Sequence, residues 1–141
     1  MHESLARINF EHDVAALSEV FAERQKLVVH ARSYPMLDVT VEHTKPLRLR
    51  LQGDSFDELP PAIELLNSDG ASWSGPLPGG IFHAGPHPIT GKPFVCMRGA
   101  REYHTHSSHL ADKWDNYRGQ DGMGIVGILM QVASVWRRDV R

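Results

Sequence analysis

The clearest pattern in the chain is a strict alternation at Leu47, Leu49 and Leu51 with Arg48, Arg50 and Gln52, the period of a strand with one wet face. Gly53-Asp54 ends it. Upstream, the β-branched runs 26–31 (KLVVHA) and 37–43 (LDVTVEH) are split by Tyr34-Pro35 and read as two strands of a hairpin or meander. Before them, Val14, Leu17, Ser18 and Phe21 follow helical spacing, which predicts an amphipathic helix over about 11–25. Downstream, FDELPP (56–61) forms a turn into a fourth strand, AIELL (62–66).

From Asn67 to Pro93 the chain is rich in glycine and proline, and a loop this long in a compact domain is usually functional. Strand-like pieces return near Phe94–Met97 and Arg101–His106, followed by a short polar helix near Leu110–Tyr117. The apolar run Gly122–Trp136 then reads as a buried core helix. Helix, four strands, irregular loop and helix make an α+β layout with an antiparallel sheet.

The 141 residues predict one domain, 1–141, long enough to bury a single core. A formal net charge of −2 offers no basic footprint for nucleic acid and no polybasic segment for anionic lipid. The 15-residue run 122–136, interrupted by Gln131 and Ser134, is shorter than the ~20 residues a membrane-spanning helix needs. The start, MHESLARINFEHD, has no apolar core of a secretory signal, and a single cysteine excludes an intrachain disulfide framework. Both point to a reducing, cytoplasmic setting. Gly79-Gly80 and Gly119–Gly124 lack the lysine or βαβ context of a phosphate loop, which excludes nucleotide binding on that basis.

The candidate chemistry lies in 87–109, HPITGKPFVCMRGAREYHTHSSH, which holds the only cysteine, Cys96. Five of nine histidines (His83, His87, His104, His106, His109) fall between 83 and 109. If Arg101–His106 is extended, Glu102, His104 and His106 share one face, and Cys96 can fold back over the turn Arg98-Gly99-Ala100 to complete four ligands. Such a set fits zinc better than magnesium or calcium. Alternatively Cys96 is a nucleophile, with His104, His106 or His109 as base and Glu102 orienting that histidine. A third reading makes Cys96 a small buried hydrophobe after Phe94-Val95 and the histidines loop hydrogen-bonders. Asp112 and Asp115 are candidate partners for an imidazole N–H. Arg48 and Arg50 are expected on the solvated face of their strand. Phe82, Trp73 and Trp136 are expected to anchor core and loop.

The order of these motifs resembles the ubiquitin-conjugating fold family, whose members carry ubiquitin or a ubiquitin-like protein as a thioester. The matching stretches are the N-terminal helix, the four-stranded meander, the Pro60-Pro61 strand approach and His87-Pro88 leading to Cys96. Trp114 and the helix 122–136 follow the cysteine as in the family. Among its divergent bacterial members the chain is similar to a group named for a predicted metal-binding Cys-Glu-His-His set, here Cys96, Glu102, His104 and His106.

The resemblance implies an acyltransferase that accepts a ubiquitin-like protein from an activating enzyme onto Cys96, with Glu102, His104 and His106 assisting. No cofactor is implied. On the alternative, the domain is a structural or adaptor module with zinc held by the same four residues; a zinc hydrolase with Glu102 as base is a further variant. In the family the activating enzyme docks on the N-terminal helix, which would implicate Arg24 and Lys26. Three departures stand out. Ile89 replaces the family's asparagine, which supports an oxyanion; His87 to Cys96 is one residue short; and the family's last two helices would lie beyond Arg141. His104, His106 or Asn116 would then supply the oxyanion donor, and Ser107 or Ser108 an oxyester in place of the thioester.

Overall fold

The computed structural model describes residues 1–141. Helix α1 spans Glu3–Val14 and buries Ala6, Phe10 and Val14, while Arg7 sits among Glu3 and Glu11 one turn away on the wet side. Helix α2 spans Glu19–Arg24. The single helix expected over 11–25 is therefore two. The Ser18 hydroxyl accepts from the Phe21 N–H at 3.1 Å and starts a new helix, leaving Leu17, fully buried, in the bend between them. An apolar spacing of three and four is satisfied by the bend as well as by a continuous helix, so the pattern could not distinguish them.

Strands β1 (Leu27–Ser33), β2 (Met36–Val41), β3 (Leu47–Gln52) and β4 (Ala62–Leu66) form one antiparallel meander in that order. β3 and β4 have the expected bounds. Leu37, Val39 and Val41 on β2 and Leu47, Leu49 and Leu51 on β3 are all fully buried, and Ile63 and Leu65 extend the same face. Against that face lie Phe10 and Val14 of α1 and the last helix, α4 (Ile125–Asp139), through Ile125, Ile128, Leu129, Val132 and Trp136. The helix is three residues shorter at its start and three longer at its end than the apolar run suggested. Asp13 accepts from the Ile125 N–H and so caps α4 from α1. No helix is long and apolar enough to cross a membrane.

On the other face of the sheet Arg48 and Arg50 are half-buried rather than solvated. Asp38, 3% exposed, accepts from Arg48 at 2.8 and 3.1 Å and from Arg50 at 3.4 Å. Burial pushes the Asp38 carboxyl up, but Arg48 and then Arg50 outweigh it and hold it below its ordinary value.

The glycine- and proline-rich segment crosses the open side of the core. Trp73 and Phe82 both meet the Trp136 ring edge to face, at 5.6 and 5.2 Å between centroids, so these three rings are the anchors expected of them. Phe82–His83 (β5) pairs with Phe94–Val95 (β6) in a two-residue antiparallel ladder. Helix α3 covers only Arg101–His104, and a single 3-10 turn covers Trp114–Asn116 within the segment expected to be a short helix.

Candidate functional site: a cysteine–histidine pair beside a two-tyrosine carboxylate

Cys96 directly follows β6, and its N–H donates to the Ile81 carbonyl at 2.7 Å, so the small β5–β6 ladder sets its position. The chain then reverses in a turn closed by the Ala100 N–H on the Met97 carbonyl at 3.0 Å. Gly99 occupies that turn with φ +98°, and a Cβ there would stand 2.9 Å from Ile128 Cδ1. Both the backbone angle and the approach of α4 call for glycine.

Helix α3 follows at once and is fastened to the strand edge. The Arg101 N–H donates to the Pro61 carbonyl at 2.9 Å and its Nε–H to the Pro60 carbonyl at 3.1 Å. Glu102, 7% exposed, accepts from the Ile63 N–H at 2.9 Å, covering a donor of the edge strand β4. Burial pushes the Glu102 carboxyl up to about 7. This corrects the extended reading of 101–106. Glu102 and His104, two apart within α3, point in different directions, and His106 lies in the bend beyond the helix, so the three do not line one strand face.

Each of the three has its own partner. His104 Nε2 accepts from the Gly99 N–H at 3.0 Å, which places its proton on Nδ1, donated to the Asp112 carbonyl at 2.8 Å. Burial lowers the His104 pKa, favouring that uncharged ring. His106 lies stacked on Phe94, 5.6 Å between centroids, and its Nδ1 accepts from the Ser108 N–H at 3.0 Å. Its pKa is lowered by loss of solvent and by His87, His109 and His83 around it.

His87, 1% exposed, is a post for the approach to Cys96. Its Nδ1 accepts from the Ile89 and Thr90 N–H groups at 3.1 and 3.3 Å, and its Nε2–H donates to the Glu102 carbonyl at 2.8 Å. The His-Pro segment and α3 are thereby locked together.

The imidazole that reaches the thiol is His109. Its Nε2 lies 3.5 Å from Cys96 Sγ, a sulfur hydrogen-bond distance. Cys96 is half-buried, and burial raises its pKa, so the resting group is a thiol that needs a base. The His109 ring lies flat on Tyr103, 4.1 Å between centroids and 14° between planes. Tyr103 O–H and Tyr117 O–H each donate to one oxygen of Asp112, both at 2.5 Å, and Arg98 Nε–H donates to Asp112 Oδ2 at 2.9 Å. These donors hold the Asp112 carboxyl far below its ordinary value.

Of the sequence candidates, Cys96 and His109 meet, while Glu102 and His104 are committed to backbone groups. Asp112 does serve an imidazole N–H, through its main-chain carbonyl. Asp115 instead pairs with Arg118 at 3.6 Å. Ser107, Ser108 and Asn116 are exposed, and the Asn116 carbonyl accepts from the Gln120 amide at 2.7 Å. Arg98, Tyr103 and Tyr117 carry no motif. What unites them is a carboxylate sixteen residues downstream of Cys96, a partnership that spacing alone does not announce.

As arranged, Cys96, Glu102, His104 and His106 do not fit a metal. No three His, Cys, Asp or Glu side chains converge as an ion would require. The Glu102 oxygen and the His104 lone pair are already engaged by N–H donors.

Residues 86–141, from the His-Pro approach through Cys96 to the end of α4, match the profile of the Y4jH-like family. That stretch is less than half of the chain and contains the whole cysteine–histidine site. None of the curated proteins matches the chain.

Proposed function

We propose that this protein is a ubiquitin-like-protein carrier of the ubiquitin-conjugating type, an acyltransferase working through Cys96. The observation that carries the reading is the 3.5 Å approach of His109 Nε2 to a half-buried Cys96 Sγ. The order α-helix, four-stranded antiparallel meander, Pro60-Pro61, His87-Pro88, Cys96, short helix and core helix supports it.

In this mechanism His109 Nε2 takes the thiol proton as Sγ attacks the carbonyl carbon of a modifier bound as a thioester to its activating enzyme. The C–S bond to that enzyme breaks, and the leaving sulfur takes the proton from His109. An acceptor amine then attacks the Cys96 thioester carbonyl. The C–N bond forms as the C–S bond to Cys96 breaks, and His109 passes the amine proton to the departing sulfur, which leaves as a thiol. Glu102 and His104 assist by building the turn and helix after Cys96; His106 packs the neighbouring ring stack.

The test uses a small thioester ending in Gly-Gly, N-acetylglycylglycine joined to mercaptoethanesulfonate, with intact-mass detection. The expected product is one acyl group on Cys96, released by added thiol and absent in Cys96→Ala. His109→Gln should acylate ~100-fold more slowly, the low end of a general-base contribution. Acylation that survives Cys96→Ala, or that runs no faster than with free N-acetylcysteine, would sink the reading.

A further inference from the structure

We propose that Tyr103 is a positioning residue that holds the His109 imidazole against Cys96, with Asp112 as its anchor. The inference rests on the cysteine–histidine pair of the proposed function and adds what fixes that pair. A histidine on an irregular loop has rotational freedom about two bonds, and only a narrow range brings Nε2 to a sulfur 3.5 Å away. The segment around His109 is a series of turns, with the His109 N–H on the His106 carbonyl and the Asp112 N–H on the His109 carbonyl, both at 2.9 Å. Those bonds fix the backbone and leave the ring free.

The ring is fixed by Tyr103. The two planes lie 14° apart at 4.1 Å, which removes the freedom of the imidazole to rotate away. Tyr103 is itself rigid at both ends. Its backbone belongs to α3, tied to Pro60, Pro61 and Ile63 through its neighbours Arg101 and Glu102. Its phenol donates to Asp112 Oδ2, and the same carboxylate is gripped by Tyr117 and Arg98. An aromatic face also favours a cation lying over it, so Tyr103 supports the imidazolium formed when His109 takes the thiol proton.

The experiment measures the second-order rate of Cys96 alkylation by iodoacetamide at pH 7, a readout independent of any modifier or activating enzyme. His109→Gln should lower the rate about tenfold, and Tyr103→Leu by a similar factor. Tyr103→Phe, which keeps the stacked face but loses the O–H that ties it to Asp112, should fall between the native and the Tyr103→Leu rates. In the His109→Gln background, Tyr103→Leu should have no further effect, because positioning acts only through the imidazole.

Tyr103→Leu at the native rate, or equal slowing with and without His109, would overturn the positioning role. A native rate in His109→Gln would remove the cysteine–histidine pair itself, so the two failures are distinct. If Tyr103→Leu does not fold, the native protein decides by NMR. Stacking shifts the His109 ring protons upfield, and unshifted protons would overturn the proposal.

Discussion

Glu102 offers the sharpest quantitative test, because substitution by its neutral isostere should stabilise the protein. The carboxyl is 7% exposed and accepts from the Ile63 N–H at 2.9 Å. Burial carries it from an ordinary 4.5 up to about 7. At 1.36 kcal/mol for each tenfold change in proton affinity, keeping it ionised in the folded protein costs about 3 kcal/mol relative to the unfolded chain. The sign follows from proton counting. Between pH 4.5 and about 7 the folded state binds more protons at this site than the unfolded state, so this contribution to stability falls as pH rises. Below 4.5 both states are protonated and nothing is lost; above about 7 the whole cost is present.

Glu102→Gln keeps an oxygen acceptor for the Ile63 N–H and cannot ionise. At pH 8.5 the variant should be more stable than the native protein by ~1–3 kcal/mol, the lower end allowing for a weaker bond to a neutral acceptor. At pH 4.5 the difference should vanish or reverse slightly. Urea unfolding at the two pH values, followed by tryptophan fluorescence, reads both numbers. A variant less stable at pH 8.5, or a difference that does not change with pH, would refute the burial argument.

Two further outcomes are expected. Asp38→Ala should cost ~2 kcal/mol in urea unfolding, below the ~3–5 of a fully buried pair, because Arg48 and Arg50 keep 18% and 29% of their side chains exposed. A loss under ~0.5 kcal/mol would mean that the arginines find water unaided. Protein purified without chelator should contain no stoichiometric zinc by elemental mass spectrometry, since Glu102 and His104 are already bonded to N–H groups. One zinc per chain, lost in Cys96→Ala, would restore the metal reading.

Local periodicity determined the sheet. Leu47, Leu49 and Leu51 alternate with polar residues, and each strand shows one face to a core, so β3 and β4 are legible residue by residue. The apolar run before Trp136 likewise identifies a buried helix, because at 15 residues it is too long for a single buried strand. Cys96 and the histidine-rich run after it were legible as candidate chemistry from residue type alone.

Which histidine meets the thiol was settled only by the tertiary structure. Alternation of Glu102, His104 and His106 fits a strand, yet these residues fold as α3 and its following turn. Pro60, Pro61 and the Ile63 N–H on the edge of the sheet offer partners that a helix there satisfies. Those partners lie some forty residues away in the chain and leave no mark on local spacing. Asp38 was hidden for the same reason. Its burial depends on two arginines of the adjacent strand, and a pattern of one strand reports which face a residue occupies, not what covers it.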